Sequence, residues 1–356
     1  MKTKLIGAGI LLVVIIAVVA VVLSGQGAQT VTIKGYVGGE KLGFLEDPQV
    51  DSILANRYHL TLDAIKSGSL DMARADNSGM DFLFPSSSLA AELYSLSGGK
   101  TLKSDDVFVS PLVIYSWDTV TDALMAKGIV SQIGTGTPAS YTIDMKKLVD
   151  LVESDATWAD IGVPELYGQI CVYSTDPVHS NSGNLMTALV ATVLNGGKTV
   201  TAADLPAIEQ PLDDFLSKSG YKETSSADLF SSYLRTGVGG KALVALYENQ
   251  MIEFAAQNPS DWNQIKDKVR ILYPIPSVWS NHRFIAIDDA ATRFFDAMKD
   301  ADLLKSAWEV HGFRIGASGG ANLTEQMKAM GILQDVTQII QIPSYDVMNE
   351  IMNQLS

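Results

Sequence analysis

The groups in this chain that could do chemistry are few and scattered. Gly316-Ala317-Ser318-Gly319-Gly320 has the Gly-x-Ser-x-Gly spacing of a nucleophile elbow. An elbow serine of that type needs an acid and then a histidine later in the chain, and the last histidine, His311, comes before it. The other histidines, His59, His179 and His282, show no paired spacing for a metal, and Cys171 stands alone. Gly237-Val238-Gly239-Gly240-Lys241 resembles part of a phosphate loop, but Ala242 stands where a serine or threonine is needed. No cofactor, metal or catalysis is therefore expected. Asn322-Leu323-Thr324 has the pattern of a glycosylation site and equally that of a helix cap.

Binding chemistry is better represented. Gly38-Gly39 lets backbone amides come close to a ligand, and Lys41 adds a charge beside them. Ser67 and Ser69 flank Gly68, and Ser86 and Ser87 open a run of three serines. Ser180-Asn181-Ser182-Gly183 precedes an apolar helical stretch. Such a helix start offers unpaired N–H groups and about half a positive charge. Tyr247-Glu248 closes a strand pattern. Each cluster also has a plain structural role: a strand-end turn, an N-cap, or a tyrosine against a surface. The donors suit a small anion or acidic solute, with Ser182 as main anchor facing Gly39, Ser69 and Ser87. A neutral sugar would want aromatic platforms, for which only Tyr247, Tyr273 and Trp279 are candidates.

These clusters sit between elements that would position them. Residues 31–36, 61–65 and 81–84 read as strands, each followed by a small or hydroxylated turn and a helical pattern. Asp47 as N-cap and Pro48 at the first position mark a helix to Tyr58. Three strand–turn–helix units imply parallel strands with their turns on one sheet edge, where open α/β sheets bind ligands. Residues 107–117 are apolar with Pro111 in the middle, which predicts two strands with a bend between them. Further strands are expected at 170–174, 243–247, 269–273 and 284–287, and helices at 145–151, 185–194, 249–256, 291–298, 302–310 and 323–330.

The 356 residues suffice for more than one folding unit, and 47 % hydrophobic against 19 % charged residues excludes disorder. A net charge of −14 argues against nucleic acid as a partner. Lys2 and Lys4 precede an uncharged run over residues 5–23. As a helix that run is roughly 28 Å long, close to a bilayer core. It predicts a single-pass anchor with the main domain outside the cell membrane, although cleavage after Gly27 stays open.

The stretches VTIKGYVGGEK, VFVSPLVIYSW, WADIGVPELYGQICVYSTDPVHSNSGN, VALYENQMIEF and VRILYPIPSVWSNHRFIAI, in that order, resemble the type II periplasmic, or extracellular, solute-binding proteins. The resemblance covers nearly all of the chain beyond Gln26 and rests on no single motif. It implies two Rossmann-like α/β lobes joined by two crossing strands, near residues 111–117 and 276–287. After a cytoplasmic segment 1–4, an anchor 5–23 and a linker 24–30, lobe one would hold residues 31–113 and 279–356, and lobe two residues 114–278. The implied function is capture of a small-molecule ligand by lobe closure, with a membrane permease as partner. A sensor or assembly subunit of a membrane complex is the alternative, and an enzyme on the same scaffold a third reading.

Overall fold

The computed structural model describes residues 29–134, 139–316 and 322–355. The anchor run 5–23, most of the linker, and Ala317 to Gly320 of the elbow pattern lie outside them. Among the described residues, no helix is long and apolar enough to cross a membrane.

The sheet begins as the punctuation of the sequence predicts. Strand β1 (Val31–Val37) pairs in parallel with β2 (Leu60–Lys66) and with β3 (Phe82–Phe84). Gly35 admits β3: a Cβ there would lie 2.2 Å from the Phe82 carbonyl oxygen. Helix α1 (Pro48–Tyr58) links β1 to β2. Asp47 accepts from the Gln49 and Val50 amides, and His59, in the left-handed region, ends it. Helices α2 (Ser69–Arg74) and α3 (Ser88–Leu96) follow β2 and β3.

Strand β4 (Lys103–Trp117) corrects the expected break at Pro111. It is one strand that changes partners there. Up to the pair Pro111↔Trp279 it runs antiparallel to β9 (Trp279–Ala286). From Leu112 onward it pairs with β7 (Val244–Tyr247) and β8 (Val269–Ile275). The donor that proline lacks falls at the switch, where Leu112 N takes over by bonding Val278 O at 2.9 Å. Pro274 is likewise inside β8, past its last β4 pair at Leu272. Strands β5 (Val130–Ile133) and β6 (Ser140–Asp144) complete the order β2-β1-β3-β9-β4-β8-β6-β5, with β7 also on β4. The sheet thus has two wings that share β4. Residues 170–174, expected as a strand, form an extended segment with one bridge, Tyr173↔Val244. Residues 291–298 fold as a 3-10 turn, Ala290–Arg293, and a short helix, Phe294–Ala297.

The other helices cover both faces: α4 (Asp118–Ala126), α5 (Met145–Glu153), α6 (Asn181–Leu194), α7 (Leu205–Ser217), α8 (Ser226–Gly240), α9 (Glu248–Gln257), α10 (Pro259–Ile265), α11 (Ala301–Glu309), α12 (Glu325–Ala329) and α13 (Tyr345–Gln354). Helix α6 is apolar around its circumference and correspondingly buried on every face from Asn181 to Val193. The first wing's core is a phenylalanine cluster. Phe82 stacks on Phe284 at 5.0 Å, and Phe108 on Phe313 at 4.9 Å. Helix α13 packs against α3 of the first wing and α7 of the second.

Candidate functional site

A cleft of about 350 Å³ lies where the wings face each other. Its first wall is built from strand ends. Gly38, Gly39 and Glu40 follow β1, Lys66 ends β2 with Ser67 to Ser69 after it, and Ser86 follows β3. The opposite wall is built from helix starts. Ser180 and Asn181 open α6, Thr224 to Ser226 open α8, and Tyr247 precedes α9.

Thus Gly38, Gly39, Ser67, Ser69, Ser86, Ser180, Asn181 and Tyr247 are brought to one cleft. Hydrogen bonds join the walls at its floor. Asn181 Nδ2 donates to Ser86 O at 2.5 Å and to the Tyr247 hydroxyl at 3.0 Å. Ser69 Oγ accepts from Ser86 N at 2.9 Å, and Ser280 donates to Ser86 O at 2.7 Å. Two contacts span the mouth: His179 Nδ1 to Asp71 at 3.4 Å, and Lys66 Nζ to Asp228 at 3.6 Å. All four side chains are at least two-fifths exposed, so each pair contributes only about 0–1 kcal/mol.

Five other candidates are near the cleft without lining it. Ser87 caps α3, accepting from Ala90 N. Ser182, the expected anchor, is fully buried and bonded to Thr175 Oγ1 at 2.7 Å. Gly183 makes room for the protein itself: a Cβ would lie 2.1 Å from the Thr175 carbonyl oxygen. Glu248 is buried in a two-pronged pair with Arg314, at 2.7 and 2.8 Å. Tyr273 also bonds Glu248 there, so of the three aromatic candidates only Tyr247 lines the cleft.

Lys41 is neither solvated nor in the cleft. It lies fully buried beneath the cleft floor, with Glu40 Oε1 at 2.5 Å, Ser86 Oγ at 2.6 Å and His282 Nδ1 at 3.3 Å. Burial opposes ionisation of Glu40, but the Lys41 ammonium and His282 outweigh it and hold the carboxyl well below its usual range. Burial, with Lys41 beside it, pushes His282 down to about 4. A histidine depressed in this way takes its proton first in the unfolded chain. Its stabilising effect is complete above about pH 6.5 and is lost as pH falls towards 4, by about 3 kcal/mol in all. The Glu40 contribution is lost below its unfolded range, in the same direction. The urea midpoint is therefore expected to fall from pH 6.5 to 4, less steeply in His282→Asn; a flat midpoint would count against the cluster as drawn.

Sequence reasoning missed Glu40, Lys66, Gly68, Asp71, His179, Thr224, Ser225, Ser226 and Asp228 as lining residues. Ser225-Ser226 carried the same signal as Ser86-Ser87, hydroxyls before a run of helix formers. The glycines from Gly237 to Gly240 close α8 rather than open a helix, so no phosphate cradle forms there. Thr324 caps α12, accepting from Met327 N at 3.2 Å.

No protein-family model matches the chain, and no curated protein matches it by sequence. Solved structures do match. The substrate-binding protein of an ABC transporter from Agrobacterium tumefaciens aligns over 94 % of this chain and 96 % of its own, with TM-score 0.56 and 13 % identity. The periplasmic binding protein AfuA of Actinobacillus pleuropneumoniae, solved with fructose-6-phosphate bound, aligns over 91 % and 97 %, at 0.54 and 13 %. The sulfate-binding protein SubI of Mycobacterium tuberculosis aligns over 81 % and 88 %, at 0.53 and 14 %. At these identities the likeness is one of fold, and these neighbours are binding proteins rather than enzymes. The resemblance drawn from the order of the sequence stretches is met in the structure: the chain has the mixed α/β fold of the type II periplasmic solute-binding proteins.

Proposed function

We propose that this protein is an extracytoplasmic solute-binding protein that captures a small anion between two lobes, residues 31–113 with 279–356 and residues 114–278, and does no chemistry on it. One observation carries the reading. Four helical starts converge on the cleft with no cap from their own N-cap side chain: Gly38 and Gly68 have none to offer, and Ser180 and Ser225 do not use theirs, while at α6 Thr175 Oγ1 takes only the Gly183 N–H, at 2.7 Å. Unpaired N–H groups at helix starts favour negative charge. The sulfate of SubI and the sugar phosphate of AfuA, each bound by a protein of this fold, support the same choice. In this reading Gly38, Gly39, Ser67, Ser69, Ser86, Ser180, Asn181 and Tyr247 form the ligand surface, and a membrane permease is the partner.

Titration calorimetry of the full-length chain is expected to show saturable binding of a small anion, and scattering a modest fall in radius of gyration on binding. Absence of both would refute the function. The length of the run 5–23 supports an uncleaved anchor, and with it the alternative of a sensor or assembly subunit. The protein is then expected to stay with membranes through a carbonate wash and to keep Met1 or Lys2 as its first residue. Soluble protein beginning near Ala28 would remove the anchor.

A further inference from the structure

The lining of the cleft says more about the solute than its charge. The cleft measures about 350 Å³. A bare tetrahedral oxoanion displaces on the order of two or three waters, about 60–90 Å³ at ~30 Å³ each. The remaining space is of the size that holds an organic molecule.

The acceptors point the same way. Glu40 lines the cleft and is only 7 % exposed. Its contacts to Lys41, Ser86 and His282 all run through Oε1. Among the described residues Oε2 has no hydrogen-bond partner, and both carboxylate oxygens border the cleft residue Gly38, where a Cβ would lie 2.6 Å from Oε1 and 2.8 Å from Oε2. An ionised carboxylate only accepts, so whatever touches Oε2 must bring its own hydrogen. Asp71 and Asp228 add two more carboxylates to the lining, against one lysine, Lys66. A fully deprotonated ion that filled this space would meet repulsion away from the helix starts. A second cation beside Glu40 would meet Lys41. Neutral hydroxyls satisfy the carboxylates without either penalty. Tyr247 is the single aromatic in the lining, which leaves hydrogen bonds rather than ring stacking to recognise the body of the ligand.

We infer that the cleft takes a hydroxylated organic anion, a polyol carrying one phosphate or carboxylate, with the anionic group at the helix starts and a hydroxyl donating to Glu40. This rests on the anion-binding reading above and names its substrate class.

The test is calorimetry on the full-length chain with two matched pairs, glycerol 3-phosphate against n-propyl phosphate and glycerate against propionate, together with inorganic sulfate and phosphate. The hydroxylated member of at least one pair should bind tenfold or more tightly than its partner. In Glu40→Gln that ratio should fall below threefold. If anions bind but neither ratio reaches tenfold in the unmodified chain, the hydroxyl inference fails and the anion reading stands. If none of the six compounds binds, the anion reading fails and takes this one with it. A ratio that survives in Glu40→Gln removes Glu40 from the recognition. Should that variant not fold, the ratios in the unmodified chain decide the substrate class, and Asp71→Asn, at a half-exposed position, tests the carboxylates at the mouth by the same threefold criterion.

Discussion

Gly68→Ala is expected to weaken anion binding by roughly 10–100-fold while leaving the protein folded. Gly68 has φ −65° and ψ 149°, a conformation open to any residue, so its backbone does not require glycine. The neighbour does. A Cβ at this position would lie 2.1 Å from the carbonyl oxygen of His179, which belongs to the opposite wall, and 2.9 Å from Asp71 Oδ2. The approach exists only when the walls are together, so the methyl group acts as a wedge against closure. Overpacking of this kind costs about 1–3 kcal/mol, and each 1.4 kcal/mol is tenfold in affinity. Calorimetry reads the affinity, and scattering should find the radius of gyration unchanged by ligand. Wild-type affinity in Gly68→Ala would mean that the two walls do not have to meet.

Arg314→Met is expected to destabilise the fold by about 3–5 kcal/mol, the usual result of leaving one partner of a buried pair uncompensated. Arg314 and Glu248 are both fully buried, and the guanidinium also donates to the carbonyls of Leu333 and Gln334, at 2.5 and 2.9 Å. The Arg314 backbone pairs with Val109 on β4, so the same residue ties the C-terminal return segment, the shared strand and the start of α9 together. Glu248→Leu in the Arg314→Met background should recover part of the loss, because the orphaned charge is gone. Urea unfolding measures both; a loss under about 1 kcal/mol in the single variant would show that water reaches Glu248.

The sequence was most readable where local chemistry decides the structure. Asp47 and Pro48 start α1 as the capping rules require, and the turns after β1, β2 and β3 sit on the sheet edge that meets the other wing. Pro111 misled because the cost of a proline depends on the partner of its missing N–H, and that partner is more than a hundred residues away. Helix α7, not expected from the sequence, carries Pro211 inside it, a residue that local rules count against a helix. In the site, the serine clusters could be located but their members could not be sorted. Ser180 and Asn181 face the cleft while Ser182, one step round the helix, turns to Thr175. Lys41 and Glu248 looked like binding charges because their partners, His282 and Arg314, are 241 and 66 residues away along the chain.

The shared strand also sets an order of events for a chain that leaves the ribosome, or a membrane pore, from its N-terminus. Every strand of the second wing lies between Leu112 and Ile275. The first wing starts at Val31 but lacks its internal strand until Trp279–Ala286 emerges to fill the gap between β3 and the first half of β4. Until then both flanks of that gap are open strand edges, the kind of surface that captures another chain. The wing that is made first is therefore the one finished last, and a holdase acting on this protein would have to shelter residues 82–84 and 103–111 while the whole second wing, from Leu112 to Ile275, passes by.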